Sequence, residues 1–190
     1  MKKISIFLAA AVVTFSSFKA IENWKVDKGH ARLGFSITHL GISDINGSFK
    51  NFDATIKSSK PDFSDAQVEL TGDVASINTD IEMRDKHLQG EDFFDAAKYP
   101  TFNFVSNGIK PAGKNKYKVT GNLTLHGVTK PVTLDLLYRG TTTNPMSQAA
   151  TSGFQVTGKI KRSDFNLATG FPTAVLSDEV TIKADGEFVK

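Results

Sequence analysis

Apolar and polar residues alternate with period two through most of this chain, the pattern of half-buried strands. Ala66, Val68, Leu70, Gly72 and Val74 alternate with Gln67, Glu69, Thr71 and Asp73. Tyr117, Val119, Gly121, Leu123 and Leu125 share a face, and a tight turn at 127–130 leads into Val132, Leu134, Leu136 and Tyr138. Phe154, Val156, Gly158 and Ile160 form a further run, and Val180, Ile182, Ala184, Gly186 and Phe188 the last. Nearer the N-terminus, residues 24–27 read as a short strand and 30–39 as a longer one, with Leu33, Phe35, Ile37 and His39 in phase. Gly41 and Gly47 bracket an expected turn region. Phe52, Ala54 and Ile56 then share a face, while Phe49 falls out of phase and predicts a bulge. Residues 61–65 read as a connection, 140–150 as a polar, mobile segment and 162–177 as a long loop.

Residues 77–104 break the pattern. Thr79 and Glu82 have the spacing of a capping box, which predicts a helix over 80–88. Gly90 is placed to end it in a left-handed conformation. Residues 92–97 suggest a second helical turn, which Pro100 stops. Phe93 and Phe94 lie on one side of this insert, and Arg84, Asp85 and His87 on the other.

Eight or nine short strands with short connections and no βαβ rhythm predict an all-β fold. We expect an antiparallel up-and-down barrel of about eight strands with a short helical insert. No helices are available to cover the apolar face, and closing the sheet on itself covers that face and removes its edges. A two-sheet sandwich is the alternative. Gly72, Gly121, Gly158, Ala184 and Gly186 sit at inward-phase positions, where they either leave room for a ligand or fit the taper and bending of the barrel.

Composition changes this picture in two places. The 190-residue chain carries 23 Lys and Arg against 20 Asp and Glu. Three of the basic residues, Lys2, Lys3 and Lys19, fall in residues 1–20, which read as a signal peptide: a basic start, an apolar run over 4–15, then small residues for cleavage. The apolar run is too short to span a membrane. The mature domain, 21–190, is then charge-balanced, so the basic pI lends nothing to nucleic-acid binding. Cysteine is absent, which excludes disulfides, thiolate metal sites and a cysteine nucleophile.

The sequence carries no metal spacing, no GxSxG elbow, no phosphate loop and no dinucleotide fingerprint. His30, His39, His87 and His126 read as structural or hydrogen-bonding residues. Asn46 and Asn122 head glycosylation sequons that arise readily by chance. The polar cluster 84–87 reads as the device that fixes the helix to a barrel rim. Neither an enzyme nor a cofactor is expected.

Ordered blocks along the chain carry a resemblance. Trp24-x-Val26-Asp27-x-x-His30 opens it. Ser76-Ile77-Asn78-Thr79, Arg84-Asp85-x-His87-Leu88, Asp92-Phe93-Phe94-Asp95 and Tyr99-Pro100-x-Phe102-x-Phe104 follow. The segment 121–132, Gly158-x-Ile160-x-Arg162-x-Asp164-Phe165 and Ser177-Asp178-Glu179-Val180 complete it. Together they resemble the YceI-like family of exported, lipocalin-like proteins that bind polyisoprenoids and related lipids. Ala31 stands where a small hydroxyl residue is usual. Asn166 stands where glycine is usual, and asparagine tolerates the left-handed turn that glycine would make.

The resemblance implies a periplasmic (or secreted) protein that sequesters or carries an amphiphilic lipid inside the barrel. The isoprenoid quinones, polyprenyl phosphates and long acyl chains are the candidate classes. The expected apolar lining is Phe35, Ile37, Phe52 and Leu70 from the first strands and Phe102, Phe104, Leu123 and Leu125 from the middle. Leu134, Leu136, Phe154, Val156, Val180 and Ile182 complete it from the last. Phe93 and Phe94 would plug or line one end. Arg84, His87, Lys161 and Arg162 would meet a head group or form the rim. The alternatives are a filled, stress-protective barrel without a physiological ligand, and a lipid-modifying enzyme using His87. Homodimerisation is compatible with the resemblance. Stable membrane insertion of the mature domain is not expected, because the outward phase is charged.

Overall fold

The computed structural model describes residues 20–190. The expected signal peptide, 1–20, lies outside them apart from Ala20. Ten strand segments join in one antiparallel sheet. They are β1 (Glu22–His39), β2 (Ser43–Phe49), β3 (Phe52–Ser58), β4 (Gln67–Asp73), β5 (Ile77–Asn78), β6 (Thr101–Gly113), β7 (Lys116–Leu125), β8 (Val128–Thr143), β9 (Ala150–Lys161) and β10 (Leu176–Val189). One helix, α1 (Glu82–Leu88), stands between β5 and β6. β2 and β3 are halves of one stave, both paired with β1, and β5 and β4 continue the next stave beside them. The barrel therefore has eight staves, and β10 pairs with β1 to close it.

The period-two runs become its walls, with departures at irregular points. The two strands expected over 24–39 are one, β1, whose register against β10 jumps between Val26 and Ala31. In that bulge His30 Nδ1 lies 2.9 Å from Asp27 Oδ2. Gly47 belongs to β2 rather than to a turn. The strand is interrupted just after the out-of-phase Phe49, between β2 and β3. β8 extends to Thr143, into the segment expected to be mobile. Asn166 adopts the left-handed conformation (φ 52°) expected of it.

The outer wall carries cross-strand ion pairs, Lys57–Glu69 at 3.0 Å, Lys118–Asp135 at 2.6 Å and Lys159–Glu179 at 2.6 Å. Each is exposed and contributes at most about 1 kcal/mol.

Glycines shape the inner wall differently from a set of gaps. A Cβ on Gly72 would lie 2.1 Å from Phe102 Cζ, one on Gly121 2.5 Å from Phe104 Cζ, and one on Gly47 2.3 Å from Phe35 Cζ. Each glycine is a recess already filled by a neighbouring ring. The rings thereby lie flat along the wall instead of projecting into the bore. The glycines widen the barrel by laying aromatic side chains down, not by standing empty.

The two ends of the barrel are built differently. At one end the β3–β4 connection folds inward and buries Phe63, 2 % exposed, against Trp24, Tyr138 and Phe154 with ring centroids 5.4, 5.0 and 4.9 Å away. Phe63 has a φ of 59°, an unfavourable backbone for a bulky residue. Its position is set by polar ties around it. The Tyr117 hydroxyl donates to the Asp62 carbonyl at 2.5 Å, and Asp65 accepts from the Ser58 and Ser59 hydroxyls. The other end carries α1, the β7–β8 hairpin and the β9–β10 loop, and it is hollow.

Candidate functional site

The hollow end encloses a cavity of about 330 Å³. Its barrel wall is Phe35 and Ile37 of β1, Ile45 of β2, Leu125 of β7, Ile160 of β9, and Val180 and Ile182 of β10. A second cavity of about 110 Å³ lies deeper, with only apolar residues around it. Leu33, Leu70, Phe104, Leu123, Leu134, Leu136 and Val156 are among those residues. Polar side chains face the larger cavity alone: His39, Thr79, Arg84, His87 and Arg162.

Two segments roof the larger cavity. The first is the insert. Helix α1 is capped by Ile81, which makes no side-chain hydrogen bond to it, so the expected capping box does not form. Thr79 is committed elsewhere. Its hydroxyl donates to Asp85 Oδ1 at 2.6 Å and accepts from Arg84 Nε at 2.7 Å, while Arg84 Nη2 donates to its carbonyl. Asp85 also accepts from the Thr79 N–H. This triad ties the helix to the end of β5, the fixing role expected of the polar cluster. Residues 92–97 form turns rather than a helical turn, and the left-handed residue after the helix is Asp95 (φ 47°), not Gly90.

The insert's two phenylalanines divide their work. Phe94 packs edge-on to Phe49 at 5.8 Å. Phe93 packs on Phe171 at 4.7 Å and meets the His87 ring at 4.9 Å. Both line the cavity. His87 is more than half exposed and 3.9 Å from Asp92. Asp85 is engaged with Thr79 instead, so no Asp85–His87 dyad forms.

The second roof segment is the β9–β10 loop, which contributes Leu167, Ala168, Phe171 and Val175. Sequence periodicity missed it, because a loop wall has no period to read. Its organiser is Arg162, 4 % exposed. The guanidinium donates to five backbone carbonyls, those of Ser177, Leu167, Ala168, Phe171 and Leu176, at 2.5 to 3.3 Å. This corrects the head-group expectation: Arg162 holds the roof together and has its donors occupied. Asp178 anchors the same loop, accepting from the Ser163 N–H at 3.0 Å and hydroxyl at 2.9 Å. Burial would raise its pKa, but those hydrogen bonds outweigh burial and hold it below the usual carboxylate value.

Other expected residues fall outside both cavities. Lys161 is exposed and absent from the cavity wall. Phe52 packs against the core, Phe102 lies 4.5 Å from Phe49, and Phe154 belongs to the closed aromatic end. Each is inward-phase, as the alternation requires, but alternation does not tell a filled layer from a hollow one. His126, in the β7–β8 turn, lies 3.2 Å from the Phe165 carbonyl and is structural. His39, first read the same way, faces the cavity.

Comparison with known proteins agrees with this architecture. The model of the YceI-like domain matches residues 24–188. Protein YceI of Escherichia coli O157:H7 is 38% identical over 189 residues, covering 98% of each chain. The crystal structure of Burkholderia cenocepacia BcnA superposes with a TM-score of 0.77 at 34% identity, covering 85% of this chain and 98% of that one. A polyisoprenoid binding domain from Saccharophagus degradans superposes with a TM-score of 0.66 at 18% identity, covering 90% and 99%. At that identity the last comparison speaks for the fold alone.

Proposed function

Because this chain belongs to the YceI-like family, we propose that it is an exported, non-catalytic protein that binds an amphiphilic lipid of the polyisoprenoid class within the barrel. One observation carries the reading. The 330 Å³ cavity is apolar over most of its wall and has polar side chains at its helix end, while the deeper cavity has none. A molecule that fits both must have a polar head and an apolar tail. The tail points toward the deeper cavity, and the head stays by Arg84, His87 and His39. Arg84 has spent Nε and Nη2 on Thr79, which leaves Nη1 for a ligand.

The size of the cavity falls in the range of small-molecule sites and speaks against a filled barrel. Each CH₂ moved from water contributes about 0.8 kcal/mol, so a few five-carbon units supply ample affinity before ordering costs. The ion pairs across the outer wall support an aqueous surrounding, since a barrel in a bilayer turns apolar residues outward. The apolar leader over 4–15 supports export, and a lipid in an aqueous compartment needs such a carrier.

The test is native mass spectrometry of protein purified without detergent, followed by lipid extraction of any adduct. A bound prenyl lipid, or uptake of a prenyl phosphate by the empty protein, is the expected result. A barrel that arrives empty and takes up no amphiphile overturns the reading. Turnover of a bound lipid that His87→Ala abolishes would replace it with the enzymatic one.

A further inference from the structure

The interior is hollow in two chambers, and the residues between them are arranged as a row. The register places Gly47 of β2 opposite Phe35 of β1, Phe35 opposite Ile182 of β10, and Ile182 opposite Gly158 of β9. Above this row, towards the helix end, lie Val180, Leu125 and Ile160 of the larger chamber. Below it lie Ala184, Leu123 and Val156 of the smaller. Within the row, Phe35 is laid over Gly47, and Leu134 leans over Gly158, with its Cδ2 2.3 Å from where a Cβ would be. Ile182 is the residue that lines both chambers. It is the side chain that stands between them. Beyond the smaller chamber the bore ends at Phe63, Trp24 and Phe154.

Resting on the lipid-binding reading above, we infer that this interior is a length gauge for the tail, with Ile182 as its dividing mark. A dry cavity of about 150 Å³ holds a benzene, six carbons. By that proportion the chamber of about 330 Å³ holds roughly a dozen tail carbons and that of about 110 Å³ roughly four more. Two isoprene units occupy the upper chamber. A third enters the lower one by turning Ile182 aside, and the aromatic end then stops the chain. A longer polyisoprenoid is enclosed over the last three units or so of its tail, and the units nearer the head run out past the roof, carrying the head away from Arg84, His87 and His39. The specificity-determining residue is thus at mid-barrel, away from the polar groups at the mouth.

A series of prenyl monophosphates with 10, 15 and 20 carbons, titrated by calorimetry or native mass spectrometry, tests this. The expected affinity rises about tenfold or more from the 10- to the 15-carbon probe and changes less than threefold from 15 to 20. Ile182→Phe should bring the 15-carbon affinity to within about threefold of the same variant's 10-carbon affinity, erasing the gain. Ile182→Ala should keep the 15-carbon gain and carry it further at 20. Equal melting curves in the absence of probe certify the fold, and the alanine variant serves if the phenylalanine one does not fold. An affinity that climbs with the same slope through 20 carbons overturns the gauge while leaving lipid binding intact. So does a length profile that Ile182→Ala leaves unchanged. Failure of all three probes to bind overturns the lipid reading itself, and the gauge with it.

Discussion

The two ends of this barrel solve the same problem in opposite ways. Each must cover the open mouth of an apolar tube. At the aromatic end a single short connection does so by burying one side chain, Phe63, in a ring cluster. At the helix end two separate segments meet over a hollow, joined by Phe93 on Phe171 and held by backbone carbonyls gathered around Arg162. The first closure is a packed ring cluster, positioned by polar ties beneath it, and leaves no room. The second is made of polar ties around the edge and keeps its centre empty. Dense aromatic packing is concentrated at one end and space at the other.

The largest test of that division compares two phenylalanines. Phe63→Ala empties a packed site and should cost about 3–5 kcal/mol, the range for buried aromatic truncation. Phe93→Ala, beside a cavity, removes fewer contacts and should cost about 1–2 kcal/mol while speeding release of a bound prenyl probe. Urea denaturation and probe off-rates check both. Equal destabilisation by the two substitutions breaks the comparison.

Arg162 gives the next effect. Arg162→Met strands several buried carbonyls and should cost about 3 kcal/mol, whereas Lys161→Met on the exposed neighbour should stay within about 0.5 kcal/mol. Proteolysis should cut first within 166–175 in the Arg162 variant. If Arg162→Met is as mild as Lys161→Met, the roof is held by something other than polar ties.

The smallest effect is a pH dependence at the closed end. Burial would raise the Asp65 pKa, but the hydroxyls of Ser58 and Ser59 and the Ser59 N–H outweigh burial and bring it down to about 2. The folded value lies below the unfolded one. Its stabilisation is therefore complete above about pH 4 and is lost as pH falls through about 2, and it amounts to no more than about 2 kcal/mol. Thermal melts from pH 5 to pH 2 should show the parent losing stability that Asp65→Asn lacks throughout. Parallel curves for the two proteins would remove Asp65 from the closure.

Much of the barrel was legible in the sequence because strand geometry forces a period of two, and Val180, Ile182, Leu123 and Leu125 could face nowhere but inward. The insert was legible as an interruption of that period. What the pattern could not convey is depth along the bore, since Phe154 and Val156 share a phase and only one of them meets a cavity. The closing residue was also hidden, because Phe63 sits in a connection where no periodicity applies and adopts a backbone that its side chain disfavours. Arg162 misled for a physical reason. A charged residue flanking a loop is usually solvated, and only the fold shows that carbonyls have replaced its water. The inward glycines of β4 and β7 were read as space or taper, and Gly47 of β2 as the edge of a turn. They are the places where rings are laid aside, and that needs the cross-strand register to be seen.

The seam between β1 and β10 has a consequence for how the molecule comes into being. Lys25 pairs with Val189 and Phe35 with Ile182, so the stave made first is completed only by the stave made last. No partial chain can close the tube. Until the final strand arrives, β1 and β9 both present bare edges, and contacts this distant in sequence form slowly. Under the export proposed above, such an order of assembly means that the interior does not exist as a container until the whole polypeptide has been delivered to the place where it is to work.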